Sequence, residues 1–325
     1  MTETVTLSTR PPPLARLLSV GNPEHDDLVH ALATPRAHSR PGNRLDNGEN
    51  GGYAAATPFG YAVSVRRSSL LAAHEPPAVI VTRAHSSAPF FVTCDHASNR
   101  IPELLGDLGV SAAERERHIA WDIGALGVAN RLAERLQATL VASSYSRLVI
   151  DCNRHLWRED AIPLRSELTA VPGNWNLSET DNEARRASFH RPYHEGIEAL
   201  LDSREQLGIA TVYVSVHSFT PVYEGVSRPW QVAMLSNRDR RIAEILLREL
   251  SRDPALCVGD NIPYRLTDDG DYGVPVHAER RGLPHVLIEL RQDLIVEASG
   301  QHAWAARLAP LLQQAAREIG IEARD

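Results

Sequence analysis

The sequence predicts an α/β fold in three layers, with helices on both faces of a mostly parallel, mixed sheet. Three observations predict it. Short apolar runs alternate with amphipathic stretches from residue 88 onward. The runs are apolar at successive positions, as in strands buried on both faces. With 325 residues, 43% of them hydrophobic, the chain is long enough for one large core.

The N-terminal part stands apart. Residues 35–60, PRAHSRPGNRLDNGENGGYAAATPFG, are dense in Gly, Pro, Asn and Arg and hold no sustained period. Such a composition buries too little apolar surface to offset chain entropy. Residues 1–85 are therefore expected to be a poorly ordered extension, and residues 86–325 a single domain. APFFVTCD reads as a buried strand. Residues 111–137 have helical spacing, opened by Ser111 as N-cap with Glu114 three positions later. ATLVASSY and RLVIDCN read as strands. Residues 181–208 are helix-rich, with a break near Pro192. TVYVSVHSF and WQVAMLSN read as strands, DRRIAEILLRELSRD as a helix, HVLIELRQDLI as a late strand, and residues 299–320 as a closing amphipathic helix.

Composition narrows the function. The formal net charge of -7 argues against a non-specific nucleic-acid binder but allows a local anion site. The 3 cysteines, Cys94, Cys152 and Cys257, are widely spaced and form no CxxC pair. Neither a disulfide framework nor a thiolate zinc site is suggested, and a reducing cytoplasm fits best. No apolar run approaches the ~18 residues of a membrane span. No GxSxG elbow is present, and no Gly-rich phosphate loop opens a helix after a strand.

The chemistry gathers at strand ends, where open α/β sheets bind ligands. FFVTCDH delivers His96, VYVSVH delivers His217, and VLIELRQ carries Glu289. A single histidine at such a position is ordinarily structural. Two imidazoles and a carboxylate together make a three-ligand zinc site with a fourth position open to water. Asp122, in HIAWDIGA beside Trp121 and Gly124, is the first choice for third ligand, ahead of Glu103; a salt-bridge role is equally open. Asp95 is a carboxylate placed to orient an imidazole. Arg147 and Arg154 flank the run RLVIDCNR, and a guanidinium holds a carboxylate through two parallel bonds. An Asp151–Arg154 salt bridge is the competing account of that spacing. Glu289, between Ile288 and Leu290, is costly to bury unless paired or functional, and is placed as a general base. His277, in a Gly-flanked loop, is within possible reach of the site.

Together CDHASNRIPE, HIAWDIGA, YSRLVIDCNR, VHSFTP and LIELRQDLI resemble the N-formylglutamate amidohydrolase (N-formylglutamate deformylase) family, over roughly residues 88–312. The family is similar in fold to zinc carboxypeptidases. The resemblance implies metal-dependent hydrolysis of an amide, with Zn2+ or another divalent metal held by His96, His217 and, as third ligand, Asp122. It implies Glu289 as catalytic glutamate, Asn153 and Arg154 as the hold on a substrate carboxylate, and Arg147 as the group polarising the scissile carbonyl. The expected reaction converts N-formyl-L-glutamate to L-glutamate and formate, a step of amino-acid degradation. Departures leave alternatives open. Carboxypeptidases have a glutamate three residues after the first histidine, where this chain has Asn99, so another acid remains a candidate ligand. CDHASN differs from the PHSGT-like motif of the histidine-degradation branch, which leaves the acyl group and amino acid open. Another N-acyl amino acid, a cell-wall peptide, or a non-catalytic binding protein are the rival readings. An anionic small molecule is the expected partner; the oligomeric state is not readable.

Overall fold

The computed structural model describes residues 70–322, together with the backbone of two short strands, Leu18–Ser19 and His30–Ala31, that pair antiparallel. Apart from these, the expectation for residues 1–69 lies outside the described residues.

Seven strands form the main sheet: β1 Val79–Thr82, β2 Phe90–Cys94, β3 Thr139–Ser143, β4 Val212–Phe219, β5 Val232–Leu235, β6 Val258–Asp260 and β7 His285–Arg291. Their spatial order is β6-β5-β7-β4-β2-β3-β1. The central strands β3, β2, β4 and β7 are parallel, so their carboxyl ends share one edge. At the margins β1 is antiparallel to β3, β5 is antiparallel to β7, and β6 is parallel to β5. The mixed, mostly parallel sheet is the one the sequence predicts.

The helices are α1 Ala112–Arg115, α2 Ala125–Arg135, α3 Glu179–Arg185, α4 Arg191–Gln206, α5 Arg241–Leu250 and α6 Ala298–Glu318. Strand side chains alternate between faces. Val92, Val214, Val216 and Ile288 pack against α2, α5 and α6. Phe91, Tyr213 and Leu287 point the other way, against Tyr193, Ile197 and Leu200 of α4. The same period of two turns Thr93, Ser215, His217 and Glu289 to the α4 face. Register then sets Glu289 directly beside His217 and Thr93 beside Ser215. Polar side chains on neighbouring strands are thereby stacked at one edge of an otherwise apolar sheet.

Besides the short strand β6, which is not among the strands expected from the sequence, three elements depart from the expected pattern. Residues 79–82, left in the extension, form the edge strand β1. AVIVT is apolar, but it follows Pro76 and Pro77 and is short. The long helix over residues 111–137 is two helices, α1 and α2, separated by a connection that holds Asp122. Ser111 caps α1 as expected, its hydroxyl accepting from the Glu114 N–H. Gly124 fixes the break: its φ is +78°, and a Cβ there would lie 2.1 Å from the Ile295 carbonyl oxygen. RLVIDCN is a buried loop instead of a strand. Its carbonyls are satisfied without a ladder: Asn174 Nδ2 donates to Leu148 O at 2.9 Å and Arg185 Nη1 to Val149 O at 3.0 Å. The expected break near Pro192 is a π-turn, Arg186–His190, that leads into α4 with Pro192 in its first turn.

Candidate metal centre and active site

His96 follows β2, His217 lies within β4, and Asp122 sits in the α1–α2 connection. The Asp122 N–H donates to the His96 carbonyl at 2.9 Å, tying the connection to the end of β2. All three side chains are buried, and one donor atom from each falls within 4.8 Å of the others. The two imidazoles meet edge to face, with ring centroids 5.1 Å apart. Asp122 Oδ2 lies 2.8 Å from His217 Nδ1 and 3.3 Å from His96 Nδ1. Each far nitrogen has its own partner. His96 Nε2 is 2.7 Å from Asp151 Oδ1. His217 Nε2 is 3.0 Å from Ser215 Oγ and 3.3 Å from Asp95 Oδ2. Imidazoles that ligate a metal show this pattern, one nitrogen inward and the other fixed by an outer oxygen.

Charge in the pocket is concentrated, with the Asp95, Asp122 and Asp151 carboxylates set against Arg147 and the two imidazoles. Burial alone would raise the Asp122 carboxyl, but the His96 and His217 imidazoles hold it well below the ordinary range. Burial opposes protonation of His217, yet bonds to Asp122 and Asp95 push its pKa well above the ordinary value. His96 is raised as well: burial and the Arg147 charge act against protonation, and Asp151 and Asp122 outweigh them. Arg147 is committed to carboxylates. Its Nη2 donates to Asp151 Oδ2 at 2.7 Å, and its Nη1 is 3.5 Å from Asp122 Oδ1. Asp151 thus pairs with Arg147 and His96, not with Arg154 as the competing account of the spacing had it. Glu289 is buried beside His217 with Oε2 lacking any hydrogen bond. Burial, reinforced by the Asp122 charge, pushes its carboxyl up to about 8 against the pull of His217.

The profile of the N-formylglutamate amidohydrolase family matches residues 88–296, well over half of the 325-residue chain. The chain belongs to the N-formylglutamate amidohydrolase family. A crystal structure of a gene product from Agrobacterium tumefaciens is similar at a TM-score of 0.75 and 38% identity, over 77% of this chain and 99% of that one. The N-formylglutamate amidohydrolase of Ralstonia eutropha JMP134 has the same fold, with a TM-score of 0.51 and 18% identity over 71% of this chain and 94% of that one. No match is found among curated proteins.

Within this N-formylglutamate amidohydrolase family member, the donor set fits a divalent cation. Two imidazoles and a carboxylate converge, both imidazoles are braced from outside, and Glu289 Oε2 is a buried oxygen without a hydrogen-bond donor. The other expected site residues make most of their bonds outside this cluster, although the Asn153 N–H donates to Asp151 Oδ1 at 2.8 Å. Asn153 is consumed by a turn: its Oδ1 accepts from the Tyr272 and Gly273 N–H groups, and its Nδ2 donates to Asp271 at 3.0 Å. Arg154 Nη1 donates to the Gly270 carbonyl at 2.6 Å and its Nε to Asp160 at 3.3 Å. His277 is fully buried in a second histidine group, its Nε2 2.8 Å from His194 Nδ1. Glu103 pairs with His74 on the surface and takes no part. Sequence reasoning missed Asp151 as the outer partner of His96, although its spacing of four from Arg147 was visible.

Proposed function

We propose that this protein hydrolyses the amide bond of an N-acyl amino acid, most directly N-formyl-L-glutamate to L-glutamate and formate, with the help of Zn2+ or a similar divalent cation. One observation carries the reading. Two imidazoles from neighbouring strands turn Nδ1 toward a single carboxylate oxygen, and an unpaired buried glutamate stands beside one of them.

His96, His217 and Asp122 would hold the cation. When bound, such an ion polarises an amide carbonyl and brings the pKa of a coordinated water toward neutral. Glu289 accepts a proton from the attacking water and returns it to the departing nitrogen. Its position on rigid β7 keeps the carboxylate aimed, and desolvation keeps it basic. Arg147 is held by Asp151 through Nε and Nη2, and its Nη1, which makes no hydrogen bond among the described residues, is assigned to the developing oxyanion. Arg154 is tethered by Nε and Nη1, and its Nη2 carries no bond among the described residues, so that edge is assigned to a substrate carboxylate. Asn153 receives no substrate contact here, because its polar atoms serve the turn at residues 271–273; His277 spends Nε2 on His194 and keeps a buried Nδ1 without a hydrogen bond. No helix among the described residues is long and apolar enough to cross a membrane. The cysteines are free thiols, and we place the protein in the cytoplasm.

A hydrolysis screen of N-formyl, N-acetyl and N-succinyl amino acids, with metal content measured in parallel, tests the reading. Turnover of N-formyl-L-glutamate by metal-loaded protein is expected. Turnover confined to longer acyl groups would move the assignment to another N-acyl amino acid, and no turnover with no bound metal would remove it.

A further inference from the structure

Arg228 is an inside-out residue. It ends a short hairpin, Val222–Tyr223 paired with Val226–Ser227, that directly follows β4 and its His217. Within that hairpin the apolar Val226 is 68% exposed and the charged Arg228 only 9%. Chains bury an arginine only with partners that compensate its charge. The other two deeply buried arginines are compensated by oxygens. Arg185 donates to the Val149 and Gly173 carbonyls and Asn174 Oδ1, and Arg204 to the Ser86 and Ala88 carbonyls and Thr211 Oγ1. Among the described residues the Arg228 side chain makes one hydrogen bond, from Nη1 to the Tyr264 hydroxyl at 2.8 Å, and no ion pair. Its guanidinium is instead clamped between the Tyr223 and Tyr264 rings, 4.6 and 4.8 Å from their centroids. Its remaining nitrogens are not among the buried atoms lacking partners, so they keep an opening to solvent.

The clamp lies at the reactive edge. Arg228 precedes β5 by four residues, and the first residue of β5, Val232, pairs with Leu290, next to Glu289. Tyr264 has an exposed ring, but its hydroxyl is desolvated and feels the Glu289 charge, both of which raise its pKa; Arg228 and Arg147 oppose them. A planar cation with its Cζ within 5 Å of two aromatic ring centroids, its edge open and no internal counter-ion, is pre-organised for a carboxylate. The geometry points to Arg228 as a specificity-determining residue that takes one carboxylate of a dicarboxylic N-acyl amino acid, with Tyr264 as its positioning residue. This rests on the amidohydrolase reading, and with Arg154 Nη2 it supplies two anion holds for two carboxylates.

The test uses the full-length, metal-loaded protein. KM and kcat are measured on N-formyl-L-glutamate and on its two mono-amides, and L-glutamate binding is measured by calorimetry. Arg228→Gln is expected to raise KM on the order of tenfold or more, with the larger part of the loss in KM, to weaken L-glutamate binding similarly, and to abolish discrimination against one mono-amide. Arg228→Lys, which keeps the charge but loses the fork, should recover only part of this. Tyr264→Phe leaves the clamp ring in place and should raise KM by about threefold, which decides the matter if Arg228→Gln does not fold. Unchanged KM and L-glutamate binding in Arg228→Gln or Tyr264→Phe would overturn the assignment while leaving the amidohydrolase reading standing. L-glutamate binding lost in Arg228→Gln, in a protein that hydrolyses none of the three compounds, would keep the anion hold and remove the reaction.

Discussion

Two groups of buried histidines lie on the α4 side of the sheet, and they differ in their company. His96 and His217 are ringed by Asp122, Asp151 and Asp95, and both are pushed toward the protonated form. His190, His194 and His277 stack on one another and on Tyr272, with His190 and His194 centroids 4.3 Å apart. Their hydrogen bonds go to the Arg154 and Cys152 carbonyls and to each other. Burial lowers all three, His190 and His277 to about 4. Asp95 stands between the groups, contacting His217 and exerting a weaker upward pull on His277. Burial alone therefore does not mark a ligand. Carboxylates that brace one imidazole nitrogen and present an oxygen to the other turn a buried histidine into a cation site; carbonyls and other rings leave it a neutral packing element.

The largest effects should come from removing the carboxylate chemistry. Glu289→Gln is expected to cut turnover by roughly 10²–10⁴-fold while metal content stays at the wild-type level. Normal turnover in that variant would take the proton-transfer role from Glu289. Asp122→Ala deprives both imidazoles of their shared oxygen. Metal analysis after dialysis should show at least about tenfold weaker retention, with activity falling in step. Retention equal to wild type would mean that the ligand set is different.

The pH response separates the two groups next. His217 and His96 have raised pKa values, His217 the more so, and an imidazole that holds a proton must release it to ligate. Zinc affinity of protein stripped of metal should therefore rise with pH until the folded pKa is passed, by up to about tenfold per pH unit for each proton released. Asp122 is already ionised throughout and adds no slope. An affinity flat between pH 6 and 8, read by calorimetry, would contradict the protonated imidazoles. The smallest effect belongs to the second group. His194→Leu removes two hydrogen bonds and strands the Cys152 carbonyl. It should destabilise the fold by about 1–3 kcal/mol in denaturant titration and leave metal stoichiometry untouched.

Much of this was legible in the sequence, for physical reasons that can be named. FFVTCDH and VYVSVH are apolar runs ending in histidine, and strand periodicity fixes where such side chains go. Glu289 was visible as a charge in an apolar frame. Asp122 was readable as a residue but not as the occupant of a break, because the break depends on Gly124 fitting against Ile295, far along the chain. RLVIDCN has the composition of a strand; only the distant Asn174 and Arg185 donors make it a loop. Asn153 and Arg154 were assigned to substrate by motif and His277 by its Gly-flanked loop, yet most of their bonds go to neighbours no local pattern reveals. Arg228 was invisible because its aromatic clamp joins residues 223 and 264 across the chain.

The most direct test is anomalous diffraction at the zinc edge from crystals of metal-loaded protein. The account predicts one strong peak within ligating distance of His96 Nδ1, His217 Nδ1 and Asp122 Oδ2. A peak at His194 and His277 instead, or none in protein that is fully active, would contradict it.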